Sequence, residues 1–286
     1  GILTLAPLLA RAARVDRVVV TEHLPGVGRV GKRYWIKRLG IRSIHRAISV
    51  CERHRDLMID TFGYAPDQVT AIPNGVPDPN PQRRVVAPRR DPLPAEWMGL
   101  ERHSGVRVMQ VGSLDGRKGV DVLLRGTATA LQRGAALNLW LVGEGPSRSS
   151  LEVLARELGI HERVIFTGQV SEASQLWPLA DVAVLASWRE GLPLSLVEAS
   201  AWGLPVVATD VDGVAEIVRP GETGWLVEAG DTRGLAWALA EAAIDAGRRV
   251  RYGTAARRRF ERNFGFDRML RATFTAYGSV AEGWVR

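Results

Sequence analysis

From residue 106 onward, short apolar runs alternate with amphipathic stretches of helical length, and this alternation constrains the fold more than any other feature. The runs are rich in valine, leucine and alanine, as expected for strands buried on both faces. Strands that alternate with helices form a parallel sheet covered by helices. The predicted strands are 107–111, 138–142, 164–167, 182–186, 206–209 and 224–227. The predicted helices are 120–132, 147–158, 173–179, 194–202 and 214–218, followed by helical stretches at 232–263 and 267–282.

The first 80 residues carry the same signature in fewer units. Strands are predicted at 17–21, 47–50 and 69–72, with helices at 3–13 and 51–60. After them, seven of the 22 residues from Pro73 to Pro94 are proline, and four arginines add like charge. Such a stretch cannot build a packed core and predicts an extended linker over 81–105. The sequence therefore indicates two α/β domains, for which 286 residues are sufficient.

Composition restricts the class of protein and its partners. With 46% apolar and 24% charged residues the chain is globular, and its net charge of +7 favours anionic partners such as nucleoside diphosphates or anionic lipid surfaces. The single cysteine, Cys51, excludes an internal disulfide framework and a cysteine-based zinc cluster, and it is compatible with the cytoplasm. No run approaches the roughly 18 apolar residues of a membrane span.

Residues 29–46 combine cations with aromatic side chains. Lysine and arginine occur throughout the segment, interleaved with Tyr34 and Trp35. A helix of this composition is either a solvated surface helix or an interfacial membrane helix, and both interpretations stay open. Nucleic-acid binding is not expected, because no recognised nucleic-acid-binding module accompanies the charge. The expected location is the cytoplasm, with peripheral contact at the inner face of the membrane if the segment is interfacial.

Two glutamates flank a Gly-Leu-Pro turn at the start of the helix predicted at 194–202. Glu190 lies in the loop before this helix, and Glu198 lies on the helix, which is otherwise almost entirely apolar. A carboxylate on such a helix destabilises the fold unless something pairs with it. A helix N-terminus also favours anions. The pattern therefore indicates a ligand that carries both hydroxyl groups and negative charge.

A glycosidase is excluded by the spacing of these two carboxylates. Retaining glycosidases hold their carboxyl groups about 5–5.5 Å apart on either side of the scissile bond. Eight residues of helix span about 12 Å. Glu190 and Glu198 would in addition approach a ligand from the same side.

The Glu-x7-Glu spacing around Gly-Leu-Pro resembles the donor-binding motif of the retaining glycosyltransferases of the GT-B fold, in particular glycosyltransferase family 4. The resemblance implies that Glu190 lies beside the donor sugar and that Glu198 hydrogen-bonds the nucleotide ribose. It also implies that sugar hydroxyls and the diphosphate are received by the backbone of the intervening turn, which comprises Gly191, Leu192, Pro193 and Leu194. Two incidental glutamates on a helix without a site are the alternative.

A glycine-containing turn with two cations follows the strand predicted at 107–111. Glycine lets backbone amides approach a diphosphate, and lysine adds a point charge. Gly112 and Lys118 match the phosphate-binding positions of the family. Ser113 departs from the family, which often has arginine there, and the neighbouring Arg117 is expected to replace that cation in part. A structural turn with a solvated Arg-Lys pair is the alternative.

Three further assignments depend on the resemblance. Gln169 and Val170 belong to the loop whose backbone touches the nucleotide base. His23 follows the strand at 17–21, at the edge where open α/β sheets bind ligands, and the resemblance implies that it faces the transferred sugar. A loop histidine without a role is the alternative. Asp210-Val-Asp212 is similar to the metal-binding Asp-x-Asp of other glycosyltransferases, but no histidine adjoins it, and the resemblance implies a turn before a helix. Neither a metal nor a cofactor is expected.

The resemblance implies an α/β GT-B architecture, in which two Rossmann-like domains face a cleft and the N-terminal one is incomplete. Its implied parts are a partial acceptor-side domain at 1–80, the linker at 81–105, a nucleotide-sugar domain at 106–262 and a crossover helix at 263–286. The implied reaction moves a sugar from a UDP- or GDP-sugar to a hydroxyl of a carbohydrate or lipid-linked acceptor, with Glu190, His23 and Lys118 as catalytic residues. Two alternatives stay open: a nucleotide-sugar-binding fragment without transferase activity, and a GT-B epimerase.

Overall fold

The structure is a computed structural model that describes residues 2–15, 17–23, 32–79 and 103–281. The chain divides into two compact units, one comprising Gly1–Gly75 with Phe264–Arg286 and the other comprising Val76–Asn263. The predicted linker at 81–105 lies almost wholly outside the described residues, as does the start of the basic segment at 29–31.

The first unit is built on a small parallel sheet. Its strands, in the spatial order β1-β2-β3, are β1 (Val19–Glu22), β2 (Arg46–Ser49) and β3 (Val69–Ala71). Its helices are α1 (Ile2–Ala12), α2 (Lys32–Ile41), α3 (Glu52–Leu57) with a π-helical turn at Met58–Phe62, and the C-terminal helix Phe266–Ala281.

Side chains alternate along each strand, so each strand places side chains on both faces of the sheet. Both faces are covered. On one face, Ala47 packs in a cluster with Met58 and Phe62 from the α3 region. On the other face, Ile48 packs against Ala276 of the C-terminal helix. The helix Phe266–Ala281, the last one among the described residues, therefore completes the core of the unit that contains the first residues.

The second unit contains a six-stranded sheet in the order β6-β5-β4-β7-β8-β9, and every adjacent pair is parallel. All six strands were predicted to within two residues at each end. They are β4 (Val106–Val111), β5 (Leu137–Val142), β6 (Val164–Gly168), β7 (Val182–Leu185), β8 (Val206–Thr209) and β9 (Gly224–Val227). Most of their residues are buried, which explains why the runs are apolar rather than alternating.

The helices of the second unit depart from prediction at two places. They are α4 (Val120–Gln132), α5 (Arg148–Glu157), α6 (Leu194–Ala201), α7 (Val214–Ile217), α8 (Thr232–Ile244) and α9 (Ala246–Asn263). The helix predicted at 173–179 is a 3-10 helix, Ala173–Leu179, because Pro178 has no N–H for an α-helical hydrogen bond. The stretch predicted at 232–263 breaks at Asp245, whose side chain accepts the N–H of Arg248 at 2.7 Å and caps α9.

A buried arginine fastens α9 to the rest of the second unit. The Arg257 guanidinium forms two hydrogen bonds, of 2.7 and 2.6 Å, with the carboxylate of Asp78. It also donates to the carbonyl oxygen of Ala201, at the end of α6, at 2.6 Å. The bidentate pair joins α9 to Asp78, and the hydrogen bond to Ala201 joins it to α6, the helix that carries Glu198. Within the part of the chain that is described, no helix combines the length and apolar character needed to cross a membrane.

Candidate functional site

The strand order of the second unit contains a topological switch point, where the order of the strands reverses. β4 is flanked by β5 on one side and by β7 on the other. After β4 the chain adds β5 and β6 on one side of it, and then crosses to add β7, β8 and β9 on the other side. In open α/β sheets, ligands bind beyond the carboxyl ends of the strands at such a switch point. The loops after β4 and β7 carry the predicted residues from Gly112 to Lys118 and from Glu190 to Leu194.

Lys118 and Glu190 meet at this edge although 72 residues separate them. Lys118 Nζ lies 2.6 Å from Glu190 Oε1, and the two side chains are only 19% and 10% exposed. The hydroxyl of Ser187, which is fully buried, donates to the same oxygen at 2.6 Å. Because the pair is largely shielded from solvent, salt screens its attraction only weakly. The Glu190 carboxylate is thus held in place by a cation and a hydroxyl.

The loop that presents Glu190 is fixed through its backbone as well. Thr209, the last residue of β8, donates from Oγ1 to the carbonyl oxygen of Ser187 at 2.6 Å. The N–H of Trp188 donates to the carbonyl oxygen of Arg117 at 2.8 Å, which joins the loop after β7 to the loop after β4. The N–H of Glu190 itself donates to Asp212 Oδ2 at 2.9 Å.

Ser187 and Thr209 were not singled out from the sequence, and Asp212 was placed in a turn without a contact to Glu190. Ser187, Thr209 and Asp212 lie at the ends of strands or in turns, where small polar residues are ordinary. Only the pairing of β7 with β8 brings them together.

The turn after β4 is organised by Asp115. Its carboxylate accepts hydrogen bonds from the Ser113 hydroxyl at 2.8 Å and from the backbone N–H and the guanidinium of Arg117, each at 2.9 Å. The hydrogen bond from the Arg117 side chain is the largest of the effects that lower the pKa of Asp115 to about 2. Ser113 and Arg117, both predicted at the diphosphate, therefore contact Asp115 in this structure, and part of the Arg117 charge is offset.

Gly119 closes this turn where no other residue fits. Its φ is +58°, in the left-handed region, and a β-carbon there would lie 2.1 Å from the carbonyl oxygen of Ala186. The absence of a side chain lets the start of α4 lie against the end of β7. Lys118 is brought to Glu190 by this close approach.

The structure begins α6 at Leu194, directly after Pro193. Pro193 has φ −69° and ψ 115°, so it precedes the helix instead of forming its first turn. Gly191 and Leu192 connect it to Glu190. The first N–H groups of any helix have no hydrogen-bond partner within the helix. In α6 these groups begin at Leu194, four residues after Glu190, and the first of them is available to a ligand bound beside that glutamate.

Glu198 lies half-buried one turn into α6. Burial raises its pKa, and a hydrogen bond from Trp177 Nε1, at 3.4 Å, acts in the opposite direction. A carboxylate in this setting gains from an additional hydrogen-bond donor.

The remaining predicted residues lie elsewhere. Gln169 and Val170 follow β6, at the same edge of the sheet but on its outermost strand. His23 follows β1 in the first unit and is exposed. Its neighbour Glu22 is held by Lys37 Nζ at 2.5 Å and by the hydroxyl of Tyr64 at 2.9 Å, so the end of β1 is fixed.

Comparison with known proteins adds a family match in both units. Residues 105–245 match the family described as Glycosyl transferases group 1, and residues 2–78 match Glycosyltransferase Family 4. A D-inositol 3-phosphate glycosyltransferase of Corynebacterium aurimucosum is 32% identical over 86% of this chain and 68% of its own length. Four other curated relatives are matched over 26%, 41%, 24% and 49% of their own length. The chain therefore spans about a quarter to a half of the length of these relatives.

Solved structures agree on the fold. Sucrose-phosphate synthase from Thermosynechococcus elongatus superposes with a TM-score of 0.81 at 24% identity, over 98% of this chain and 72% of that one. Anabaena HepE, solved in complex with UDP, superposes with a TM-score of 0.82 at 19% identity, over 97% of this chain and 76% of the HepE chain. HepE has also been solved with UDP-glucose. These neighbours are GT-B glycosyltransferases, which confirms the predicted α/β GT-B fold class.

Proposed function

We propose a function from the premise that the chain belongs to glycosyltransferase family 4, the group 1 glycosyltransferases. It transfers a sugar from a nucleoside-diphosphate sugar to a hydroxyl group of a carbohydrate or lipid-linked acceptor, with retention of the anomeric configuration. The observation that carries the proposal is the shielded Lys118–Glu190 pair at the switch point of the second sheet, four residues before the first amides of α6.

The proposed role of Lys118 is to stabilise the leaving diphosphate. An ammonium group has three N–H donors, so Lys118 can hold Glu190 and a phosphate oxygen at the same time. The first amides of α6, from Leu194 onward, and the backbone at Gly112 would add further donors. Donors fixed in advance at the atom where negative charge develops lower the barrier more than donors that must reorganise.

Glu190 is proposed to orient the donor sugar. The hydrogen bonds from Lys118 and Ser187 both go to Oε1. Oε2 of the same carboxylate is then directed by them and is proposed to accept a sugar hydroxyl. A donor sugar held by a fixed carboxylate keeps its anomeric carbon in one position relative to the acceptor. Reactants held in one orientation react faster than reactants that must first find it.

Glu198 is proposed to bind the ribose, and Gln169 with Val170 to contact the base. Hydroxyl groups of a ribose would supply donors in addition to Trp177, and they would offset the effect of burial on the Glu198 pKa. The HepE complexes with UDP and UDP-glucose support UDP over GDP as the nucleotide. No metal is proposed, so transfer is expected to persist when a chelator is present.

On the acceptor side, we propose that His23 contacts the transferred sugar and that α2 contacts the membrane. Trp35 and Leu39, one turn apart on α2, are 64% and 58% exposed. Arg38 and Arg42 are exposed beside them, whereas Lys37 is taken by Glu22. An exposed apolar stripe flanked by arginines is the composition of an interfacial helix on an anionic membrane. A cytoplasmic location, peripheral to the inner membrane face, is proposed with it.

The transferase proposal is tested by following UDP-glucose by NMR, alone and with a panel of monosaccharide and glycolipid acceptors. Acceptor-dependent formation of a new glycosidic bond, with the α configuration of the donor retained, is the expected result. UDP binding without transfer to any acceptor would favour a binding role. Isomerisation of the sugar without an acceptor would favour an epimerase. Inversion of the anomeric centre would contradict the proposed stereochemistry.

A further inference from the structure

Asp212 lies in the turn after β8 and makes a direct contact with the backbone of the Glu190 loop. Its Oδ2 accepts the N–H of Glu190 at 2.9 Å. The following residue, Gly213, donates its N–H to the carbonyl oxygen of Gly191 at 3.0 Å. Two successive residues of one turn therefore hold two successive residues of the other. The Asp212 side chain is 19% exposed, so solvent competes little for its oxygen.

The backbone of Asp212 is in a conformation that side chains rarely adopt. Its φ is +41°, in the left-handed region. Glycine occupies this region freely, and aspartate tolerates it only at some energetic cost. A glycine at this position would therefore satisfy the turn by itself. What aspartate adds is a carboxylate that reaches the Glu190 N–H.

The same carboxylate also faces the residue before Glu190. Arg189 Nε lies 4.0 Å from Asp212 Oδ2. Asp212 thus attracts both the guanidinium of Arg189 and the amide of Glu190. Lys118 and Ser187 hold the carboxylate of the same glutamate.

We propose that Asp212 is a positioning residue that fixes the peptide group of Glu190, so that the Glu190 carboxylate meets Lys118 and the sugar in one orientation. The proposal rests on the proposed donor site. A rotation of the peptide at Glu190 would displace its side chain from Lys118 and would turn the backbone that leads to α6. Displacements of about 1 Å in such a site can lower turnover about 100-fold.

Three substitutions separate the acceptor oxygen from the backbone strain. Asp212→Asn keeps an oxygen acceptor and tolerates positive φ, Asp212→Gly removes the oxygen and the strain, and Asp212→Ala removes the oxygen and keeps the strain. Turnover of UDP-glucose is measured as UDP release. We expect kcat to fall about 10- to 100-fold in both Asp212→Gly and Asp212→Ala, with KM for UDP-glucose changed less than about threefold, and Asp212→Asn to restore most of the activity.

Thermal unfolding distinguishes this role from a merely structural one. Asp212→Gly is expected to keep its Tm within about 3 °C of the unsubstituted chain, because relief of backbone strain offsets the greater conformational entropy of glycine in the unfolded chain. Asp212→Ala keeps the strain, so its Tm is expected to fall further. Arg14→Gly is the matched control, since Arg14 also has positive φ, of 56°, and lies exposed in the first unit. It is expected to leave kcat unchanged.

Amide hydrogen exchange tests the contact independently of turnover. The Glu190 amide is expected to exchange at least about tenfold faster in Asp212→Gly than in Asp212→Asn. Equal exchange in the two variants, or full kcat in Asp212→Gly, would overturn the proposal. A fall in kcat that follows Tm instead of the acceptor oxygen would overturn it too. If the unsubstituted chain transfers no sugar from UDP-glucose to any acceptor of the panel, the proposed function is not supported with this donor, while the exchange comparison still decides whether Asp212 fixes Glu190.

Discussion

Replacing Lys118 by methionine removes the charge at the centre of the proposed site while keeping most of the side-chain volume. In the unsubstituted chain, Lys118 Nζ lies 2.6 Å from a Glu190 carboxylate that is one-tenth exposed. Removal of one partner of a buried ion pair costs about 3–5 kcal/mol, because the other charge is left without compensation. Glu190 keeps the hydrogen bond from Ser187 and some solvent contact, so we expect a loss of about 2–3 kcal/mol, at or just below the lower limit of that range.

Differential scanning calorimetry without nucleotide measures this loss. For a domain of this size, about 1 kcal/mol corresponds to about 2–4 °C in Tm, so Lys118→Met is expected to unfold about 5–10 °C earlier. The double variant Lys118→Met with Glu190→Gln removes the uncompensated charge as well. It is expected to regain stability to within about 1 kcal/mol of the unsubstituted chain.

Activity separates the two roles of Lys118. Both the single and the double variant are expected to lose at least about 100-fold in kcat, since neither has the Lys118 ammonium group at the diphosphate. An unchanged Tm in Lys118→Met would show that the pair does not form as described. Recovery of activity in the double variant would refute the role of Lys118 at the diphosphate.

Three further predictions test the turn after β4 and the surface of α2. Gly119→Ala is expected to destabilise the chain by about 3 kcal/mol or more. Gly159 also has a positive φ but has open space around it, so Gly159→Ala is expected to cost only about 1 kcal/mol. Thermal unfolding of both variants checks this difference. The pKa of Asp115 is lowered from 3.8 to about 2 in the folded chain, so its contribution to stability is present above pH 3.8 and is lost as the pH falls towards 2. The stability difference between the unsubstituted chain and Asp115→Asn should therefore be constant above about pH 5 and shrink below pH 4, and an acid series of denaturant titrations that shows no such decline would contradict it. Trp35→Ser is expected to reduce co-sedimentation with anionic phosphatidylglycerol vesicles, whereas Trp237→Ser is not, although Trp237 is also more than half exposed. Equal losses would argue against α2 as the membrane contact.

Much of the second unit could be predicted from local sequence, because its signals are local. The helix predicted at 120–132 has those bounds in the structure, since Gly119 begins it in a left-handed conformation that only glycine adopts easily there. The break at Asp245 was missed because helical periodicity continues across it, and only the capping geometry of Asp245 reveals the interruption. The 3-10 helix at Ala173–Leu179 was signalled by Pro178 and was nonetheless predicted as an ordinary helix.

The candidate site was predictable as a set of residues but not as an arrangement. Glu190 and Lys118 were each recognised from their own motifs, yet their contact depends on the adjacency of β4 and β7, which the order of the strands in the chain does not reveal. Arg117 was expected at the diphosphate, and its hydrogen bond to Asp115 depends on the exact turn. Asp212 was weighed as a metal ligand and assigned to a turn before a helix, and its hydrogen bond to the backbone N–H of Glu190 in another loop was not foreseen.

The central claim is that the carboxyl edge of the second sheet binds the nucleotide of the donor. Titration calorimetry of UDP and GDP into the unsubstituted chain and into Glu198→Ala tests it most directly, with Glu157→Ala, an exposed glutamate on α5, as the control. We expect micromolar binding of UDP that is weakened at least about tenfold by Glu198→Ala, which corresponds to about 1.4 kcal/mol, and is unaffected by Glu157→Ala. The absence of UDP and GDP binding in a folded sample, or equal UDP affinity in all three proteins, would contradict the account.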